Sequence, residues 1–290
     1  MEPIEHLKKE KKQLARLRQL RRDIYIPVAK LEVDVYSSKE PMPSEIREEL
    51  PYRPIRRGGI WGGLFGCAWF RVRGKAPDWV TGRRLVVHIN VGGEGAVYMG
   101  PEPEHAITSI MSYIDRVQSG VGKSVIEISD NAEGGQEIEL YIDAGYNGYF
   151  NYPVGCGLFH YADLCVVDDE LLEYYYDYLT IASQLSATEE PKRCADLEAC
   201  LTESFSLWKD SIQRAREVLR PLFEGPSEPG THFTAIGHSH LDLAWLWPMR
   251  ETKRKAKRTF ANQLDNAERY PDYIYGASQP WQFEYVQRIS

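Results

Sequence analysis

The chain has 290 residues, of which 43% are hydrophobic and 27% charged, the balance of a folded globular protein with room for about two domains. A net charge of −7 argues against a phosphate-binding surface, and so against nucleic acid as a partner. No stretch is long and apolar enough to span a bilayer, and the charged start MEPIEHLKKEKKQLARL lacks the apolar centre of a secretory signal, so a cytoplasmic polypeptide without a membrane partner is expected.

Residues 5–24 are predicted to form a charged helix, with Leu7, Leu14, Leu17, Leu20 and Ile24 on one stripe. Such a stripe packs on the rest of the protein or on a second subunit, which would make a homo-oligomer. Residues 1–30 are therefore set apart as an amino-terminal helix. From 31 to 168 the pattern changes to short strands broken by glycine pairs at 58–59, 62–63, 92–93 and 134–135. Leu85, Val87, Ile89 and Val91 alternate with Val86, His88 and Asn90, and Ile138, Leu140 and Ile142 alternate with Glu139, Tyr141 and Asp143. Period two with one buried face predicts an antiparallel β-sandwich of jelly-roll type. Trp61, Trp69, Trp79, Tyr98, Tyr146 and Tyr149 supply aromatic surface for a sugar or, more commonly, for a core. Asp130, Glu133 and Glu137 lack calcium-loop spacing and predict a solvated turn. The five cysteines, Cys67, Cys156, Cys165, Cys194 and Cys200, have neither C-x-x-C nor disulfide-framework spacing and are expected to be free thiols.

A helical segment follows over 169–228. Leu171, Leu172, Tyr175 and Tyr178/Leu179 mark one helix, and Leu197, Leu201, Phe205, Leu207/Trp208, Ile212 and Val218 mark a second. Proline and glycine over 221–230 then predict a linker.

Residues 231–249, THFTAIGHSHLDLAWLWPM, are the most informative stretch. Residues 233–236 are predicted to be a short buried strand, which puts His238, His240 and Asp242 at its carboxyl end, where β/α barrels build their sites. Alternate side chains of an extended segment point the same way, so His238 with His240, His240 with Asp242, or all three could converge on a divalent ion. Trp245 and Trp247 add apolar faces of the kind a sugar ring packs against. Ala256, Phe260, Leu264 and Ala267 then mark the inner stripe of a barrel helix, with Lys253, Arg254, Lys255, Lys257 and Arg258 expected mostly on its solvated face. Pro271 and Asp272 end the helix, residues 273–275 predict the next strand, and Gln279 and Trp281 fall in its strand-end loop within reach of a substrate.

GHSHLDLAWLWP, followed by RETKRKAKRTFANQLDNAERYPDYIYGASQPWQFEYVQ, resembles the opening of the catalytic domain of family 38 glycoside hydrolases, the retaining class II α-mannosidases. IWGGLFGCAWFRVRG and GRRLVVHINVGGEGAVYMG are similar to the β-domain preceding it in the cytoplasmic and vacuolar branch. The resemblance implies Zn2+ or another divalent cation on His240 and Asp242, His238 behind the ligands, Trp245 on the cleaved mannose, and a mannose-containing oligosaccharide as partner. It also implies that the catalytic nucleophile, a further His ligand and the general acid follow Ser290. No catalytic residue is then assigned here, and the chain is expected to be a catalytically silent amino-terminal portion. The fold expected is a multidomain α+β chain: helix, jelly-roll-like sandwich, helical segment, and over 229–290 the first β/α units of an incomplete barrel. Two other classes fit parts of the pattern. An amidohydrolase-like metal hydrolase would use both His238 and His240 and would not need Trp245. A non-catalytic carbohydrate-binding module would place the function in the sandwich.

Overall fold

In the computed structural model the described residues are 3–108, 122–147, 155–224 and 234–289, with the backbone alone for 3–10 and 288–289. Two compact units divide the chain: Met1–Ile26 with Val166–His232, and Pro27–Cys165 with Phe233–Ser290.

The first unit is helical, with α1 (Pro3–Ile24), α2 (Asp169–Ala187), α3 (Pro191–Leu207) and α4 (Ile212–Leu219). Leu17, Leu20 and Ile24 are buried on α1 as the stripe predicts, whereas the Leu7 side chain lies outside the described residues. On α2 the buried stripe is Leu171, Tyr174, Tyr178 and Ile181, so Tyr174 takes the place expected of Tyr175. The single helix expected from Leu197 to Val218 is two. At residues 208–211 the chain turns, with the Asp210 and Ser211 amides both donating to the Leu207 carbonyl. The Ser211 hydroxyl then accepts from the Arg214 amide and starts α4 afresh. The 221–230 linker lies outside the described residues from 225 onward.

The second unit is built on a sandwich. Its strands are β1 (Tyr25–Lys30), β2 (Glu32–Ser38), β3 (Arg53–Pro54), β4 (Ile60–Gly63), β5 (Cys67–Lys75), β6 (Leu85–Asn90) and β7 (Glu94–Tyr98). They continue with β8 (Pro103–Thr108), β9 (Val125–Ser129), β10 (Glu137–Gly145), β11 (Cys156–Leu158) and β12 (Tyr161–Val167). One sheet has the order β3-β2-β5-β10-β7-β8, the other β1-β12-β6-β9. The longest pairing, β5 with β10, is antiparallel from Cys67↔Gly145 to Lys75↔Glu137. Alternation holds on β10 from Glu137 to Ile142, with Ile138, Leu140 and Ile142 buried, and ends at Asp143, which is buried instead of solvated because it pairs with Arg254. It fails on β6, where Val86 is as fully buried as Leu85 and Val87, so that strand is covered on both faces. Trp61, Trp69, Tyr98 and Tyr146 are core, Trp79 is 61% exposed, and Tyr149 lies outside the described residues. The 130–136 stretch is a turn closed by Gly135 at φ 78, as its spacing predicts. The described cysteines are free, and Cys67, Cys165 and Cys194 are buried.

Residues 234–289 add one parallel pair and two helices to this unit. β13 (Gly237–His238) pairs with β14 (Tyr275–Gly276), joined by α5 (Met249–Arg269) and followed by α6 (Pro280–Ile289). That is a β/α unit of the expected kind, with different bounds. Phe233 lies outside the described residues, residues 234–236 are not a strand, and Ile236 is 58% exposed rather than buried. The strand begins only at Gly237, whose amide donates to the Ile274 carbonyl.

The basic run of α5 overturns its expected solvated face. Glu251, Arg254, Ala256, Arg258 and Ala261 are buried, whereas Leu264 is 65% exposed and Ala267 exposed. The helix packs against β7 and β8, and the acids of the sandwich explain the rotation. Arg254 is ion-paired to Asp143 on β10, and Arg258 and Lys255 to Glu94 on β7. Buried charge is tolerated when it is paired, and only the opposing sheet supplies these acids.

Candidate active site

β13 carries His238 to the carboxyl end of the strand, and residues 239–248 form the loop that leads into α5. His240 Nε2 and Asp242 Oδ1 stand 3.2 Å apart, two residues apart in sequence and on the same side of the loop. Between them Leu241 turns inward and is buried, which leaves His240 largely exposed and Asp242 about half so. His238 is exposed on the strand. Among the described residues, no three His, Cys, Asp or Glu side chains gather as a metal-binding group, so His238 is not brought into the pair. An imidazole nitrogen and a carboxylate oxygen suit zinc, but two donors are only part of a catalytic site, which normally has three protein ligands and an open position.

Trp245 and Trp247 meet edge to face, with ring centroids 5.7 Å apart. Trp245 is 58% exposed. Trp247 is fixed from three directions, since its Nε1–H donates to Thr252 Oγ1 at 3.0 Å and Lys255 Nζ lies 4.6 Å from its ring centroid. The backbone between the acid and the tryptophans is unusual, with Ala244 at φ 120, a strained value for a residue with a Cβ. Trp281 is not in a strand-end loop as expected but in the first turn of α6, stacked on Tyr285 at 5.5 Å. Gln279 does precede that helix, and its Oε1 accepts from Gln282 Nε2 at 3.0 Å.

Gln282 escaped the sequence analysis. Its buried Nε2 also donates to the Leu241 carbonyl at 2.9 Å, which pins the backbone between His240 and Asp242. Glu251 and the arginines of α5 escaped it too. The i, i+3, i+7 spacing of Glu251, Arg254 and Arg258 marks one helical face and could have flagged them. Arg254 Nη1 donates to Glu251 at 2.8 Å, Arg258 also pairs with Glu251, and Asn147 Nδ2 donates to its other oxygen at 2.8 Å. Against the desolvation of its burial, Arg258 and Arg254 hold the Glu251 carboxyl down at about 2. The helix that follows the loop of His240 and Asp242 is thus clamped to the jelly roll by charge.

Residues 26–161 match the sequence model of the alpha-mannosidase jelly roll domain, and residues 230–290 match that of the Glycosyl hydrolases family 38 N-terminal domain. Both matches support a family 38 glycoside hydrolase as the parent protein. It is 27% identical to an alpha-mannosidase of Saccharomyces cerevisiae, covering 82% of this chain and 24% of that protein. It is 25% identical to alpha-mannosidase 2C1 of Homo sapiens (90% and 26% covered) and 23% identical to alpha-mannosidase G of Dictyostelium discoideum (82% and 23%). The chain therefore spans about a quarter of the length of these relatives.

Proposed function

We propose that this chain is part of an enzyme that hydrolyses terminal α-D-mannosides with retention of configuration, and that His240 and Asp242 are two ligands of its divalent cation, Zn2+ or a similar ion. The observation that carries the proposal is the approach of His240 Nε2 and Asp242 Oδ1 to 3.2 Å at a strand end. The bound ion would hold hydroxyls of the sugar and offset charge that develops on it. His240 and Asp242 orient it, because the Gln282 amide and the burial of Leu241 fix the backbone that joins them. Trp245, with its exposed ring, offers an apolar face to the mannose, and Trp247 backs it edge-on. Gln279 and Trp281 lie at the start of the next helix, where hydroxyl contacts would come from Gln279. His238 acts behind the ligands. Retention requires two carboxyl groups about 5 Å apart, one as nucleophile and one as acid then base, and neither is assigned among residues 1–290.

The recorded pairing of His240 with Asp242, rather than with His238, favours this reading over an amidohydrolase-like site. A cytoplasmic location, with no membrane or nucleic-acid partner, fits the composition. Among the described residues no helix is long and apolar enough to cross a membrane.

Residues 1–290 should turn over no aryl α-mannoside even with added zinc, whereas a longer chain carrying the rest of the hydrolase domain should do so. In that longer chain His240→Ala and Asp242→Ala should abolish both metal and activity, and His238→Ala should keep some metal. A stoichiometric ion and normal turnover in Asp242→Ala would show the site to be elsewhere.

A further inference from the structure

A cavity of about 640 Å³ lies where the jelly roll meets the first turn of α5. It is lined by the glycine-rich loop 62–66, by residues 37–40 (Ser37, Ser38, Lys39 and Glu40) and by Arg250. Its volume is within the range of small-molecule sites. Phe65 holds φ 59, a left-handed value that few residues with a Cβ adopt. The loop is held there by hydrogen bonds from the Phe65 amide to the Tyr146 carbonyl and from the Gly66 amide to the Gly63 carbonyl, each 2.8 Å. A Cβ on Gly66 would come within 2.8 Å of the Gly63 oxygen, so the turn accepts only glycine there. The effect is to present Leu64, 46% exposed, and the half-buried Phe65 at the cavity. Of the other lining residues, Arg250 Nε lies 3.4 Å from Glu40 Oε2.

The position of the cavity bears on its use. In a β/α unit the helix starts at the end of the barrel where the strand finishes, which is the substrate face. Arg250 lies in the first turn of α5, directly after the loop that carries His240, Asp242 and the tryptophans. Hydroxyl groups of Ser37 and Ser38, the Glu40 carboxylate and the Lys39 and Arg250 cations offer several donors and acceptors beside the apolar Leu64 and Phe65, a mixture that suits a sugar, which has hydroxyl edges and C–H faces. The geometry points to a subsite in which loop 62–66 of the jelly roll, with Ser38, Glu40 and Arg250, binds a hexose unit of the oligosaccharide beyond the mannose that is cleaved. This rests on the α-mannosidase reading above for the identity of the sugar. It gives the jelly roll a part in choosing the substrate.

Two variants test it without a clash. An added Cβ at Gly63 meets nothing within 4 Å, so Gly63→Trp has room to enter and would fill the cavity. Phe65→Gly removes the ring while relieving the backbone. Binding of an α-linked mannotriose to the 290-residue chain, followed by ligand-observed NMR titration, should weaken at least tenfold in both, and should persist in the His240→Ala, Asp242→Ala double variant. In the longer chain both variants should keep aryl α-mannoside turnover within about twofold and raise KM for the mannotriose. No binding of the mannotriose by the wild-type chain, or unchanged binding by Gly63→Trp, overturns the subsite. Failure of the α-mannosidase reading shows separately, as absence of turnover in the longer chain.

Discussion

Glu251 is the residue around which the second unit is held. Its carboxylate is buried with Arg254 and Arg258, and these reach Asp143 and Glu94 on the jelly roll. Removing Arg258 leaves Glu251 with Arg254 and Glu94 with Lys255 but takes one cation from two carboxylates in a water-poor place, so Arg258→Ala should cost about 3 kcal/mol in a urea titration. The same groups set a pH dependence. The Glu251 carboxyl is depressed from 4.5 to about 2, and Glu94 is also lowered, its burial outweighed by Arg258 and Lys255. A depressed carboxylate contributes stability that is fully present above its unfolded value and lost as pH falls through the folded one. Stability should therefore decline between about pH 4.5 and pH 2, and Glu251→Gln should flatten that decline when thermal unfolding is followed across the window. His240 and Asp242 were legible at this scale, because their chemistry and their two-residue spacing are local. Gln282 was not, because its partner, the Leu241 carbonyl, is 41 residues away in sequence.

At the scale of elements, periodicity found the helices and most of the strands but not their ends or their faces. The stripe of Ala256, Phe260, Leu264 and Ala267 on α5 would suit a helix inside a complete barrel, yet the helix is turned so that its arginines face the sheet. The orientation follows the buried acids on β7 and β10, which no window along α5 contains. Residues 208–211 divide what hydrophobic spacing joined, because the Ser211 cap satisfies the free amide of a new helix. Ser211→Ala should cost about 1 kcal/mol in the same titration. The loop after β13 depends on α6 in a comparable way. Gln282→Leu would leave the buried Leu241 carbonyl without its donor, and should destabilise the chain by about 1–3 kcal/mol. On the proposed metal site it should also weaken zinc binding in the longer chain, since the carbonyl lies between His240 and Asp242, and isothermal titration with zinc would show it.

For the whole molecule, the sandwich and the β/α segment form one compact unit, Pro27–Cys165 with Phe233–Ser290. Residues 234–290 by themselves would expose Arg254, Arg258 and Glu251 without Asp143 and Glu94, and their two-residue strands are too short to carry a sheet. Expressed alone, that segment should show a disordered far-ultraviolet circular dichroism spectrum at neutral pH, while residues 1–290 should unfold cooperatively. A folded 234–290 segment would mean that the ionic clamp is dispensable.

What the sequence by itself determined is whatever depends on near neighbours. Alternation and glycine pairs were enough for a jelly roll, apolar stripes for the existence of the helices, and the H-x-H-x-D stretch with its tryptophans for the family resemblance and for the pair on which the proposed metal site rests. The tertiary structure alone decided that His240 pairs with Asp242 while His238 stands apart, that the basic face of α5 is buried, and that loop 62–66 meets Arg250. The last two depend on groups far apart in the chain, and the first on a loop whose Leu241 carbonyl is held by Gln282, 41 residues away, so their energies arise only when folding removes water from between these groups.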